Sequence, residues 1–121
     1  MINCLMVGIG GFVGSILRYL IGLINVNEAF AFPVKTLCIN VIGAFAIGLI
    51  AAVSARNSEL SPHIILLLKV GICGGFTTFS TFALETEGLM QEGRYLIAIA
   101  YILSSVILSI AAVFLGEALV K

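Results

Sequence analysis

Four stretches of this chain are each about 20 residues long and almost wholly apolar, and only short polar segments separate them. They run from about Cys4 to Ile24, from about Val34 to Val53, from His63 to Leu84, and from Arg94 to about Val120. At 1.5 Å per residue, a helix of that length crosses the ~30 Å hydrocarbon core of a bilayer. The connecting segments are Asn25–Pro33, Ser54–Pro62 and an acidic turn, Glu85–Gly93. Loops this short make successive helices antiparallel neighbours. Composition agrees: 61% of the 121 residues are hydrophobic and 10% are charged, against about 25% charged in an average soluble domain. Too few polar side chains exist to cover a water-facing surface. The expected fold is an all-α integral membrane protein, a single domain of four transmembrane helices over residues 1–121.

Six basic and six acidic residues cancel, so neither nucleic acid nor a membrane-surface basic patch is indicated as a partner. Asp is absent, and the one histidine, His63, stands at a helix start with no triad or metal-ligand neighbours. Gly8-Ile9-Gly10-Gly11 is glycine-rich but lies inside a spanning segment, so it is not a nucleotide loop. No enzyme chemistry is expected. Glu85, Glu87 and Glu92 fall in and beside a loop, where solvated side chains are the default. Cys4, Cys38 and Cys73 sit in apolar runs without Cys-x-x-Cys spacing and are read as small core residues. The N-terminus lacks a basic region and a clear cleavage site, so its apolar run is expected to be a retained helix.

The third run contains Gly74-Gly75-Phe76-Thr77-Thr78-Phe79-Ser80-Thr81-Phe82. Two glycines weaken a helix by roughly 1 kcal/mol each relative to alanine, and the β-branched threonine pair restores no propensity. Two readings of these residues stand. One is a glycine packing site on a continuous helix. The other is a break near the middle of the helix, whose freed backbone groups must be received by protein or a water-filled cavity. Broken membrane helices of that kind hold ions or small substrates.

The other runs carry polar groups in register. Gly11, Gly14, Ser15, Arg18 and Gly22 share one face of the first helix, either as a seam for close packing or, at Arg18, as a positive group at the mouth of an aqueous vestibule. Thr36, Asn40 and Gly43 share a face of the second, where Asn40 either bonds another helix or lines a polar route. Tyr101, Ser105 and Ser109 recur every four residues on the fourth, with Ser104 beside them, so hydroxyls form a stripe. Each serine taken singly bonds back to its own helix; three in register suit a ladder along a pathway. Phe79 and Phe82 share a face if the helix resumes after a break.

The third-run motif closely resembles the hallmark of the Fluc (CrcB) family of fluoride channels. Gly10-Gly11-x-x-Gly14 followed by Arg18-Tyr19, Asn40-x-x-Gly43, and the Tyr101/Ser105/Ser109 stripe are similar to that family's pattern as well. The resemblance covers the whole chain. It implies passive fluoride-selective export across the cell inner membrane or plasma membrane, by an antiparallel, dual-topology homodimer with two pathways. It further implies a structural sodium ion (Na+) at the dimer centre, held by main-chain carbonyls that fall on Gly74 and Thr77 of both subunits. Its fluoride-facing phenylalanines fall on Phe79 and Phe82, its pore asparagine on Asn40, its hydroxyl track on Tyr101, Ser105 and Ser109, and its vestibule arginine on Arg18. Ser80 and Thr81 lie between the phenylalanines as further hydroxyls.

Alternating spans place Arg56, Lys69 and Lys121 toward one side and Arg18, Lys35 and Arg94 toward the other. Three against three gives no orientation preference by the positive-inside rule, which dual insertion requires. Two rival functions are a small multidrug-resistance-type exporter and a non-conducting structural subunit. The first depends on an embedded glutamate in its first helix, where this chain has no acid; the serine stripe and interrupted helix argue against the second.

Overall fold

The apolar runs form four helical spans in the computed structural model, which describes residues 1–120. Helix α1 is Ile2–Gly22 and α2 is Val34–Arg56. The third span is in two pieces, α3 over residues 62–76 and α4 at Phe79–Gln91, and α5 is Tyr95–Ala118. No strand occurs among the described residues. Ser61 caps α3 by accepting from the His63 N–H, with Pro62 in the first turn, where its missing N–H is no loss. Between Leu66 and Cys73 the helix is π-helical, an uncommon form that typically marks functional sites.

The third span differs from expectation at its far end. It runs to Gln91 and not Leu84, so Glu85 and Glu87 are helical and the acidic turn shrinks to a few residues closed by Gly93 at φ 76°. Glutamate is a good helix former, and Glu85 finds polar partners inside the bundle, described below. The whole span, Pro62–Gln91, is 30 residues. A straight α-helix of that length would measure ~45 Å, well beyond the hydrocarbon thickness.

Polarity is distributed as lipid demands. Leu5, Ile9, Phe12 and Ile16 of α1 and Leu96, Leu103, Ile107 and Phe114 of α5 are exposed, while Thr36, Thr78, Thr86 and Ser105 are buried. The protein is a multi-pass membrane protein. Cys73 is buried as expected, but Cys4 and Cys38 face outward. A small, weakly polar thiol is as much at home against lipid as in a core, so apolar surroundings in sequence do not assign it to the inside.

Glycines set the helix distances. Helix α1 packs on α3 and α2 on α5. A Cβ on Gly10 would meet the backbone of Gly71 at 2.7 Å, and one on Gly14 the backbone nitrogen of Phe76 at 2.8 Å. On the other seam, a Cβ on Gly116 would meet the backbone nitrogen of Leu49 at 2.8 Å. Without a hydrophobic driving force in lipid, such backbone approach supplies the packing energy. Gly75 belongs to this set: its added Cβ would lie 2.8 Å from the carbonyl oxygen of Gly11. Gly75→Ala is therefore expected to lower stability by ~1–3 kcal/mol, the usual cost of overpacking. A thermal unfolding midpoint in detergent equal to that of the unmodified protein would contradict this seam.

Candidate functional site

The third span is broken, and the break lies three residues beyond the first glycine of the motif. Gly74 to Phe76 remain helical, with Gly74 at φ −65°, ψ −37°. The extended residues are the threonines, Thr77 at φ −80°, ψ 158° and Thr78 at φ −150°, ψ 118°. The helix is therefore not continuous and the break reading holds, with the β-branched pair as the interruption, although Gly75 is a packing glycine. Gly74 needs no glycine-only backbone angle, and no atom stands within 4 Å of where its Cβ would be.

The freed backbone groups are received by side chains of three helices. Thr78 caps α4: its Oγ1 accepts from the Thr81 N–H at 3.2 Å and donates to Thr81 Oγ1 at 3.0 Å, with Ser80 Oγ at 3.5 Å. A cap of this kind is worth ~1 kcal/mol. Asn40 of α2 answers the Thr78 peptide twice, accepting its N–H at 2.8 Å and donating Nδ2 to its carbonyl at 3.0 Å. Arg18 of α1 donates Nη1 to the Thr77 carbonyl at 3.3 Å. Gly43, one turn after Asn40, leaves the space that the Thr77 methyl fills.

A cavity of about 440 Å³ opens beside the break. It gathers Asn40, Gly74, Thr77, Phe79, Phe82, Ser105 and Ser109, most of the residues the sequence singled out. Phe79 is 79% exposed in the single chain, and its ring centroid is 5.6 Å from that of Phe82. Ser105 Oγ is buried and has no hydrogen-bond partner. Buried polar atoms are rarely left so, and each exception asks for an explanation. A hydroxyl without a partner, in a cavity that two phenyl rings also line, is suited to an anion that has shed water, since the edge of a phenyl ring carries the positive part of its quadrupole.

Four predicted site residues fall outside that cavity. Arg18 and Thr81 line a second one of about 350 Å³, with Glu28, Lys35, Thr36 and Glu85. Ser80 is exposed at the start of α4. Tyr101 is wholly buried, with Phe82 packed at 5.0 Å and Phe32 at 5.5 Å between centroids. Its hydroxyl donates to Glu85 at 2.8 Å, and Thr36 donates to the other Glu85 oxygen at 3.0 Å. Its one O–H proton is therefore engaged. Phe82 stands between Tyr101 and the cavity, and Thr78 borders both cavities.

Sequence reasoning placed Glu85 with the solvated loop acids, and the structure corrects that. The available signal was its spacing, three residues after Phe82 and four after Thr81 on one helix, which aligns it with the polar face of α4. Thr36 and Thr78 were visible in their motifs but carried no assigned role.

The sodium ion implied by the family resemblance finds compatible donors. Hard cations take oxygen ligands. The Gly74 carbonyl has lost its helical donor, because the Thr78 N–H turns to Asn40. The Thr77 carbonyl points out of the helix toward Arg18 and has a second lone pair. No cluster of three or more His, Cys, Asp or Glu residues competes for a metal among the described residues. One chain offers two such carbonyls.

Comparison with known proteins follows the same pattern. The family model described as CrcB-like protein, Camphor Resistance (CrcB), matches residues 5–117. A protein of Chlorobaculum tepidum named fluoride-specific ion channel is 45% identical over 119 residues, 98% of this chain and 94% of that one. Proteins of the same name from Agrobacterium fabrum and Ruminiclostridium cellulolyticum are 44% and 43% identical, covering 98% and 100% of this chain and 96% and 94% of their own lengths.

Proposed function

This chain belongs to the CrcB family, and from that premise we propose that it is a fluoride-selective channel that lets fluoride leave the cell passively. The observation that carries the reading is the unpartnered, buried Ser105 hydroxyl in a cavity shared with Ser109, Asn40 and the rings of Phe79 and Phe82. Fluoride is small and strongly hydrated, so a route through lipid must replace water with donors. Ser105 and Ser109 supply O–H groups one turn apart, and Asn40 keeps its second amide proton after bonding Thr78. The rings of Phe79 and Phe82 line the same space, where an edge turned inward would favour an anion. Conduction needs sites strong enough to admit an ion and weak enough to release it, and a short series of neutral donors meets both needs.

The proposed functional unit is a pair of copies in inverted orientation. Exposure of Gly74 and Phe79 on the open side of the cavity supports this, since both would be covered by a partner. The carbonyls of Gly74 and Thr77 from both copies would hold sodium, which supplies a fixed positive charge that offsets bringing an anion into the membrane. Arg18 would attract anions to the entrance, in a second cavity where Lys35, Glu28 and Glu85 balance one another only in part.

The test is efflux from liposomes holding the purified protein, read with a fluoride electrode. Rapid fluoride loss without a proton gradient, with chloride loss slower by at least about a hundredfold, is the expected result; ~2.7 kcal/mol of discrimination suffices. Chloride loss of comparable speed, or transport that needs a proton gradient, would overturn the proposal.

A further inference from the structure

Asn40 and Arg18 enter the proposed function as anion-pathway residues, yet each is bonded to the backbone of the break. We infer that both also set how the cation is held, Asn40 as a positioning residue that keeps the Gly74 carbonyl free and Arg18 as a positive charge, bonded to the Thr77 carbonyl, that limits how tightly the cation binds. This rests on the reading of those two carbonyls as cation ligands.

In an uninterrupted α-helix the Gly74 carbonyl would accept from the N–H four residues on, that of Thr78. Asn40 Oδ1 takes that N–H at 2.8 Å, and Asn40 Nδ2 returns a bond to the Thr78 carbonyl at 3.0 Å. The side-chain amide pairs with the Thr78 peptide as a neighbouring strand would, which matches the extended angles there. Of the two extended residues, Thr78 therefore has its carbonyl occupied and Thr77 does not have its own occupied by Asn40. Arg18 Nη1 reaches the Thr77 oxygen at 3.3 Å and leaves one lone pair. Arg18 forms no ion pair among the described residues, so its charge stands close to the cage without a counter-charge in contact. The same two side chains that serve the anion thus set how many carbonyls the cation finds and how strongly it is held.

Opposite effects follow from removing each one. Asn40→Leu keeps the bulk but releases the Thr78 N–H to close on Gly74, which takes a ligand from the cage. Arg18→Gln keeps a donor for the Thr77 carbonyl but removes a positive charge from beside the cation.

The experiment titrates sodium chloride against N-methyl-D-glucamine chloride at constant ionic strength and follows the thermal unfolding midpoint of the purified protein, with liposome efflux over the same series. The unmodified protein is expected to show a sodium-dependent midpoint with a defined half-effect concentration. Asn40→Leu should raise that concentration by at least about tenfold, the scale of 1.4 kcal/mol. Arg18→Gln should lower it by about threefold or more, as expected for loss of a nearby like charge, and Arg18→Lys should restore it. General destabilisation would lower the midpoint at every sodium concentration and leave the half-effect concentration where it was. If Asn40→Leu does not assemble, Asn40→Ser, which is too short to reach the Thr78 peptide, takes its place with the same expectation. A half-effect concentration unchanged within about twofold in either position's variant would overturn the joint assignment. A midpoint of the unmodified protein that ignores sodium would instead remove the cation reading itself, and this inference with it.

Discussion

Phe82→Ile should reduce fluoride efflux by about ten- to a hundredfold while the protein still assembles, a rise of ~1.4–2.7 kcal/mol in the barrier. Isoleucine retains much of the apolar volume but has no polarised ring edge. Phe82 is well placed for a large effect. Its ring lies between Phe79 and Tyr101, so it forms the wall between the hydroxyl cavity and the Tyr101–Glu85 pair. Phe79→Ile should reduce efflux too. Phe12 and Phe114 are also exposed, at 67% and 68%, but neither lines the cavity, and their replacement by isoleucine should leave efflux within about twofold, the scatter expected of a surface change under ~0.5 kcal/mol. Efflux in Phe12→Ile that falls as far as in Phe82→Ile, with assembly intact in both, would show that ring position does not matter and the pathway assignment is wrong.

Two added lysines in the Ser54–Pro62 loop should abolish nearly all efflux when that variant is expressed alone. The basic residues divide three against three between the two sides, so a small bias decides insertion. With both lysines present, every copy would place that loop on the cytoplasmic side, and no inverted partner would form. Co-expression with a variant biased the other way, by two lysines in the Asn25–Pro33 loop, should recover efflux. Labelling of a single loop cysteine in a cysteine-free background should reach both sides of the membrane in the unmodified protein and one side in the variant. Undiminished efflux from a population shown to be uniformly oriented would refute the inverted pair.

Much of this was legible because lipid leaves a chain few choices. Four apolar runs of spanning length dictate four helices, and the structure follows them to within a few residues at most ends. The hydroxyl stripe was readable from its spacing of four, and Ser105 and Ser109 do share a cavity with Asn40 and the two phenylalanines. What the residues alone did not disclose depends on partners distant in sequence. Two glycines look like the weak point of a helix, yet they stay helical because α1 packs on Gly75, whereas the threonines open because Asn40, 38 residues away, receives the Thr78 peptide. Glu85 reads as the first residue of a polar turn until Thr36 and Tyr101 arrive from other helices to bond it. Tyr101 heads the stripe by spacing but turns its hydroxyl to Glu85, away from Ser105.

The π-helical stretch Leu66–Cys73 has a bearing on how such a chain tolerates change in length. A π segment holds more residues per turn than the α-helix around it, and one commonly arises by inserting a single residue into an α-helix. It sets the angular phase of everything downstream. Relaxing it to α geometry with every residue kept would swing the segment that follows by about 100° around the helix axis, the advance of one residue. The Thr78 backbone groups and the Thr77 carbonyl would then no longer face the helices from which Asn40 and Arg18 reach them. Loops elsewhere in the chain can absorb an added or lost residue, but between Pro62 and Thr78 the winding of the helix and its residue count must match for the site to form.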